Sequence, residues 1–329
     1  MADTTLKQIS QVLGISVSTV SRALKDHPDI STHTKRKVIE LAETLEYEPN
    51  VTAVNLRNRK TRAFGVIVPS VTNAFYDSFI AAIEEESRKV GYSLLILQNH
   101  EEQQAELDNL RLCRQNRVSG VFACYNEETH NLEAYDRLHS ADIPLVFFDK
   151  VPESDRYNKV CLADSEAAAM AAGLLLQKNK RHVLALFGHA GLSITKHRLA
   201  AFTAQFAGHS NVQLTVEHTR STETAEAMAA RYLQQAASPD AVFCMSDEIL
   251  MGVMKTVQRL QLRIPRELGI IALSNGGIPQ LYYPEITYVE TSGHALGKQA
   301  FLRMLRCIGG EKESSQEMVQ SRLVEGGSL

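Results

Sequence analysis

The chain contains no tryptophan, and only 6% of its 329 residues are aromatic. Its five cysteines are odd in number and widely spaced, with no Cys-x-x-Cys pair; they are Cys113, Cys124, Cys161, Cys244 and Cys307. This usage indicates neither a disulfide framework nor a zinc or redox motif. We therefore expect buried thiols in a reducing cytoplasm, and neither a metal site nor a cofactor.

Long apolar runs are also missing. No stretch approaches the roughly 20 apolar residues of a membrane-spanning helix, and the start "MADTTLKQIS" has no basic segment followed by an apolar one. Catalytic motifs such as G-x-G-x-x-G after a strand, G-x-x-x-x-G-K-[ST], H-E-x-x-H and G-x-S-x-G do not occur. We expect a cytoplasmic protein that does not contact membranes and is not an enzyme.

Charge is unevenly distributed along the chain. The net charge is −3, but the first 62 residues hold ten Lys or Arg and seven Asp or Glu, a net of +3 that leaves −6 for the rest. The net charge argues against a globally basic nucleic-acid binder, and the distribution places a small basic head before a larger acidic body. The length predicts two or three domains.

The basic head predicts three short helices. Thr5 is followed three residues later by glutamine, which is a capping-box spacing. Gly14 permits the left-handed turn that a tight joint between two helices needs, and Ser16 and Ser31 can cap the next two helices. Two helices joined by a short Gly-containing turn and supported by a third indicate a helix-turn-helix.

The remaining chain predicts a linker and an α/β body. Residues 49–62 have few apolar side chains and end in a basic run, which favours a linker or a segment that orders only on a partner. From Phe64 onward, short apolar runs alternate with amphipathic helical runs, a pattern of parallel sheets covered on both faces. So many strands favour two doubly wound lobes, and we place the change of lobe near Cys161.

The segments "TLKQISQVLGISVSTVSRALKDHPDIS" and "TKRKVIELAETLEYEPN" resemble the lactose/galactose-repressor (LacI/GalR) family of bacterial transcription regulators. The motifs "FGVIVPSVTNAFY", "RLAAF", "AVFCMSDEILMGVMKTVQRLQLRIPRELGIIALSN" and "PEITYVE" follow in the family's order, so the resemblance covers the whole chain. It implies a homodimer whose paired heads bind near-palindromic double-stranded operator DNA. It also implies a periplasmic-binding-protein-like body with a small-molecule effector between two lobes.

The resemblance implies the following domains: a helix-turn-helix head at 1–48, a hinge helix or linker at 49–62, an N-lobe at 63–160 plus about 292–320, and a C-lobe at 161–291 plus about 321–329.

Within the head, the second helix is the expected reader of DNA bases. Val17 and Ser18 occupy the two positions that carry sequence choice in the family, and Val17 can contact a thymine methyl group. Arg22 can donate to guanine O6 and N7. Candidate phosphate or positioning contacts are Thr5, Ser16, Thr19, Ser21, Thr34 and Asn50. Alternatively, Ser16 is only a helix cap and the other serines are solvated.

The linker supplies a second DNA contact if the resemblance holds. In the family this segment forms a hinge helix in the minor groove, and its leucine wedges between base pairs, which bends the duplex. Leu56 falls at that place, Ala53 would allow close helix approach, and Arg57 would lie near phosphates. Val54 departs from the polar or basic residue of many relatives. The alternative is an ordinary linker leucine.

The expected effector site lies at the carboxyl ends of the strands of both lobes. Its candidate residues are Asn73, Phe75, Tyr76, Asp149, His189, Lys196, Arg198, Asp247, Ser274 and Asn275. Phe75 could stack on a ring, and Arg198 and Asp149 could bind ligand oxygens. Many relatives carry aspartate where this chain has Ser274, and that difference together with Lys196 favours an anionic ligand such as a sugar acid or sugar phosphate. Alternatively, Lys196 is a solvated surface residue.

Two functions remain open from the sequence. The first is a DNA-binding transcriptional regulator, a repressor controlled by a sugar, sugar acid or sugar phosphate and associated with the nucleoid. The second is a sugar-binding protein or sugar-metabolising enzyme with a non-functional head. The absence of a signal peptide and of a catalytic motif favours the first. The short C-terminal "SRLVEGGSL" has no apolar heptad run that would predict a tetramer-forming coiled coil.

Overall fold

The computed structural model describes residues 5–47, 61–126, 132–219 and 221–329. The chain divides into two compact units, a head (1–60) and a body (61–329).

The head contains the helices α1 (Leu6–Leu13), α2 (Val17–Leu24) and α3 (Thr32–Thr44). The three predicted helix starts are confirmed: Thr5 forms a capping box with Gln8, and the hydroxyls of Ser16 and Ser31 accept the N–H groups of the third helical residues. Gly14 ends α1 with φ of 64°, the left-handed conformation that glycine adopts without a steric penalty.

All three helices contribute to a small core in the head. Ile9, Val20 and Val38 are 0% exposed and come from α1, α2 and α3 in turn. In α2, Val20 and Ala23 are buried and Leu24 packs against the core, whereas Val17, Ser18 and Arg22 are exposed.

The body is built from alternating strands and helices. The strands are, in chain order, β1 (Ala63–Val68), β2 (Ser93–Gln98), β3 (Gly120–Ala123), β4 (Leu145–Phe148), β5 (Asn158–Leu162), β6 (His182–Phe187), β7 (Gln213–His218), β8 (Ala241–Cys244), β9 (Gly269–Ser274), β10 (Thr287–Glu290), β11 (Gln316–Val319) and β12 (Arg322–Val324). The helices are α4 (Ala74–Lys89), α5 (Gln103–Gln115), α6 (Glu133–His139), α7 (Asp164–Gln177), α8 (Ser193–Gln205), α9 (Thr222–Leu233), α10 (Asp247–Arg259) and α11 (Gly293–Ile308), with a short 3₁₀ helix at Pro279–Leu281.

These strands form two six-stranded sheets, and each sheet with its helices is called a lobe. Lobe 1 has the order β11-β5-β4-β3-β1-β2, with every pair parallel. Lobe 2 has the order β12-β10-β9-β8-β6-β7, in which only β12 is antiparallel to its neighbour. The predicted α/β class, with a three-helix head and two doubly wound parallel-sheet lobes, is confirmed.

The chain passes between the lobes in three places. The sequence placed the first crossing near Cys161, which lies inside β5, a strand that pairs with β4 and β11 in lobe 1. The change of sheet therefore follows Leu162. The chain returns to lobe 1 after β10 and ends with β12 in lobe 2. No described helix is both long enough and apolar enough to span a membrane.

Gly293 allows close packing of α4 against α11 in lobe 1. A Cβ atom placed on Gly293 would lie 2.3 Å from the carbonyl oxygen of Phe75, which is a backbone atom that cannot rotate away. Glycine at this position therefore lets the first turns of α4 and α11 lie side by side.

Candidate functional site

The exposed face of α2 carries the side chains predicted to read DNA bases. Val17 is 44% exposed, Ser18 is exposed, and the Arg22 side chain is 58% exposed. Val20 and Ala23 point into the core instead. The helix therefore presents its predicted readers to solvent on the side opposite its core face.

Of the predicted phosphate contacts, Thr5, Ser16, Thr19 and Thr34 lie at the amino ends of the head helices, whereas Ser21 lies in the middle of α2. Ser16 Oγ accepts the N–H of Thr19 at 3.1 Å and lies 2.7 Å from Ser18 Oγ. Thr34 Oγ1 lies 2.9 Å from Ser31 Oγ, and Thr5 caps α1. Helix amino ends favour phosphate groups, so capping and a phosphate contact are compatible roles. The DNA roles of these residues stay predictions.

Four predicted DNA contacts, Asn50, Ala53, Leu56 and Arg57, lie outside the described residues. Their roles remain as the sequence predicts them.

In lobe 1, two predicted effector residues bond to each other at the strand ends. The Tyr76 hydroxyl donates to Asp149 Oδ2 at 2.8 Å. Burial raises the pKa of Tyr76 well above its ordinary value, so the phenol remains a protonated donor. Asp149 has φ of 59°, a left-handed backbone conformation that is uncommon for residues other than glycine. Such conformations are frequent at functional sites. Phe75 is half-buried beside Tyr76, with ring centroids 5.4 Å apart.

In lobe 2, three predicted residues form a second cluster. Asp247 Oδ1 accepts the hydroxyl of Ser274, and Asp247 Oδ2 accepts the backbone N–H of Asn275 at 3.1 Å. Burial raises the pKa of Asp247, and the hydrogen bond from Ser274 opposes that shift. A carboxylate thus remains at this edge of the sheet although residue 274 is not acidic.

Arg198 forms a buried ion pair that the sequence did not predict. It is 6% exposed, its Nε lies 2.8 Å from Asp164 Oδ1, and its Nη2 lies 2.6 Å from the same oxygen. Its Nη1 donates to the Met245 carbonyl at 3.2 Å. Burial raises the pKa of Asp164, Arg198 opposes the shift, and the nearby Asp149 carboxylate adds to it. The charge of Arg198 is therefore balanced within the protein.

Predicted effector residues also join the two lobes directly. Asn275 Nδ2 donates to the Ala74 carbonyl at 3.3 Å, and Asn275 Oδ1 accepts the Gly293 N–H at 2.8 Å. Asn73 Nδ2 donates to Glu248 Oε1 at 3.1 Å. The first turns of α4 and α11 in lobe 1 are thereby held against the loop after β9 and the start of α10.

The remaining candidates lie apart from these clusters. His189 is exposed in the loop before α8, and Lys196 is exposed on the first turn of α8. Within the described parts of the chain, no group of three or more His, Cys, Asp or Glu side chains could hold a metal ion.

Two family models match the chain. Residues 5–50 match the bacterial regulatory proteins of the lacI family, and residues 61–323 match the periplasmic binding proteins and sugar binding domain of the LacI family. The chain belongs to the LacI family of bacterial regulatory proteins. It is a DNA-binding regulator with an effector-binding body.

Relatives match the LacI-family chain over nearly its full length. The transcriptional repressor PurR of Vibrio atlanticus is 27% identical over 310 residues, 92% of each chain. The regulator DegA of Bacillus subtilis is 24% identical over 320 residues, 96% of this chain and 95% of that protein. The Lac repressor dimer bound to operator and the anti-inducer ONPF shares the fold, with 20% identity, 99% coverage of both chains and a TM-score of 0.86.

Sequence reasoning named Arg198 and Asn73 but missed their partners, Asp164 and Glu248. Both acids lie in the first turn of a helix that follows a strand. Acidic side chains are common there because they interact favourably with the helix dipole. The available signal was that each acid follows a strand whose carboxyl end faces the expected cleft.

Proposed function

We propose that this LacI-family chain is a transcriptional repressor that binds near-palindromic operator DNA as a homodimer. We further propose that its effector is a neutral, sugar-like ligand bound between the lobes. The PurR relatives are named repressors, and the similar Lac repressor is a dimer on its operator. We expect the protein at the nucleoid, where its operators are.

The exposed reading face of α2 is the observation that supports DNA readout. Val17 can contact a thymine methyl group, Ser18 can donate or accept, and Arg22 can donate twice to guanine. The buried side chains of α2 hold the helix to α1 and α3, so these three side chains can enter a major groove without unfolding the head.

The buried Arg198–Asp164 pair is the observation that supports a neutral ligand. A guanidinium has five N–H groups, and the contacts among the described residues use three of them. We propose that the other two donate to ligand hydroxyls. An anion would have to compete with Asp164 for Arg198 and would also approach the nearby carboxylate of Asp149, at an electrostatic cost.

Binding of the intact protein to duplex DNA tests the first part. Sequence selection from a random duplex pool should yield a two-fold-related site, and affinity should fall as salt rises because phosphate contacts release counterions. Arg22→Ala should lose about 1–3 kcal/mol of discrimination at one base pair per half-site. Binding without sequence preference, or an unchanged preference in Arg22→Ala, would contradict DNA readout by α2.

A thermal-shift panel tests the ligand class. Neutral sugars, sugar acids and sugar phosphates would be compared at matched concentration and ionic strength. A ligand at 100 times its dissociation constant adds about 2.7 kcal/mol, which corresponds to roughly 5–10 °C for a domain of this size. We expect the shift from a neutral sugar. A response confined to sugar acids or phosphates would reject the neutral class and leave the DNA-binding proposal standing.

A further inference from the structure

The turn after α2 places a carboxylate beside the arginine that we expect to read a base. Arg22 Nη1 lies 3.9 Å from Asp29 Oδ2. That spacing is an ion pair and is too long for a hydrogen bond. The two side chains are 58% and 66% exposed, so the pair lies on the surface that α2 presents to solvent.

Backbone hydrogen bonds fix the position of Asp29. The N–H of His27 donates to the Arg22 carbonyl at 3.0 Å, and the N–H of Ile30 donates to the His27 carbonyl at 3.2 Å. Ile30 packs against the core of the head, and the N–H of Asp29 donates to His27 Nδ1 at 3.3 Å. The turn is therefore anchored on both sides of Asp29, and its carboxylate is held near the last turn of α2.

A second acid in the same turn has a different partner. Asp26 Oδ1 lies 2.6 Å from Lys35 Nζ, and the hydrogen bond from Lys35 lowers the pKa of that carboxyl. Lys35 belongs to α3, whereas Arg22 belongs to α2. Asp26 thus ties the turn to the supporting helix, whereas Asp29 Oδ2 lies 3.9 Å from Arg22 Nη1 and 3.4 Å from His27 Nδ1.

A carboxylate on a DNA-binding face repels phosphates and so lowers affinity for DNA. A favourable role in binding would offset that loss. An arginine side chain has many rotamers, and a carboxylate beside it restricts them. One edge of the guanidinium can face Asp29 while the other donates to guanine O6 and N7. A carboxylate can also accept from the N4 amino group of cytosine, the partner of guanine in the pair.

We propose that Asp29 is a specificity-determining residue that orients Arg22 for guanine and disfavours other base pairs at that position. The proposal rests on the DNA-reading role of α2 proposed above. It assigns to Asp29 an effect on sequence preference, which is distinct from a general effect of its charge on affinity.

The test uses full-length protein and four variants: Asp29→Asn, Asp29→Ala, Asp26→Asn and Arg22→Ala. Each is submitted to site selection from random duplexes, and its affinity is measured for the selected site and for an unrelated duplex at two salt concentrations. Thermal unfolding checks that every variant is folded. Asp26→Asn is the matched control because it removes the same charge from the same turn.

We expect Asp29→Asn and Asp29→Ala to relax preference at the base pair that Arg22→Ala also relaxes. Their ratio of specific to non-specific affinity should fall about two- to five-fold, the range for an exposed ion pair. Asp26→Asn should leave the selected sequence unchanged. If the Asp29 variants bind both duplexes more tightly by the same factor as Asp26→Asn, Asp29 acts only as a charge and the proposal is wrong. A wild-type chain that selects no sequence would instead refute the proposed function.

Discussion

Replacing Arg198 with methionine should destabilise the body in a pH-dependent manner. The substitution keeps most of the side-chain volume but leaves the buried Asp164 carboxylate without its ion-pair partner. Burial already raises the pKa of Asp164, and Arg198 is the main influence that opposes this shift. Without the arginine, the folded protein should hold Asp164 in its protonated form at neutral pH.

The cost of that protonation has a ceiling. The ordinary pKa of the Asp164 carboxyl is 3.8. For each pH unit above this value, keeping the carboxyl protonated costs about 1.4 kcal/mol of free energy. At pH 7 the loss of stability is therefore at most about 4 kcal/mol from this group. In a domain of this size that loss lowers the melting temperature by roughly 8–16 °C.

The sign of the pH dependence follows from the raised pKa. Between 3.8 and the higher pKa of the folded variant, the folded state binds more protons than the unfolded state, so stability falls as pH rises. The difference between Arg198→Met and wild type should thus be small near pH 4 and grow toward neutral pH. Wild type should show a weaker dependence of the same sign, because its Asp164 pKa is raised less.

Urea unfolding between pH 5 and pH 8 measures this effect. The matched control is the double variant Arg198→Met/Asp164→Asn, which has no carboxyl to protonate. We expect it to recover most of the stability at pH 8 and to lack the added pH dependence. If Arg198→Met lowers the free energy of unfolding equally at pH 5 and pH 8, the destabilisation comes from lost packing and not from the unpaired Asp164 carboxylate.

Three further substitutions test other contacts. Gly293→Ala should lower the free energy of unfolding by about 1–3 kcal/mol in urea, because the new Cβ would lie 2.3 Å from the Phe75 carbonyl oxygen. The control Gly173→Ala, which has no atom within 4 Å of the new Cβ, should not lower it. Equal effects of the two substitutions would contradict the packing argument. Asn275→Ala should speed amide hydrogen exchange in the first turns of α4 and α11, since it removes bonds to Ala74 and Gly293; unchanged exchange there would show that these bonds do not hold the lobes. Leu56→Ala should weaken binding to the selected operator more than to an unrelated duplex; equal losses would argue against intercalation.

Features encoded by neighbouring residues were predictable from the sequence. Thr5, Ser16 and Ser31 cap helices as expected because a capping hydroxyl bonds to a backbone group three residues away. The apolar strands were predictable because both faces of a parallel sheet are covered. The sheet that a strand joins is set by pairing with distant strands, so the change of lobe was placed inside β5. The short strands β11 and β12 have half-exposed or exposed residues and give no apolar run.

The proposed effector site shows why a residue type alone does not fix ligand chemistry. From the sequence, serine at position 274 and a nearby lysine favoured an anionic ligand, on the reasoning that an acid had been lost. In the structure, Ser274 donates its hydroxyl to Asp247, so an acid remains in contact with position 274 from the neighbouring helix. Arg198, a cation predicted to bind ligand oxygens, is already paired with Asp164, which precedes it by 34 residues. A ligand experiences the net charge of all the side chains around it. Ion pairs between residues that are distant in the sequence change this net charge, and they are known only once the chain is folded. For this reason we propose a ligand that offers hydroxyl groups over one that carries negative charge.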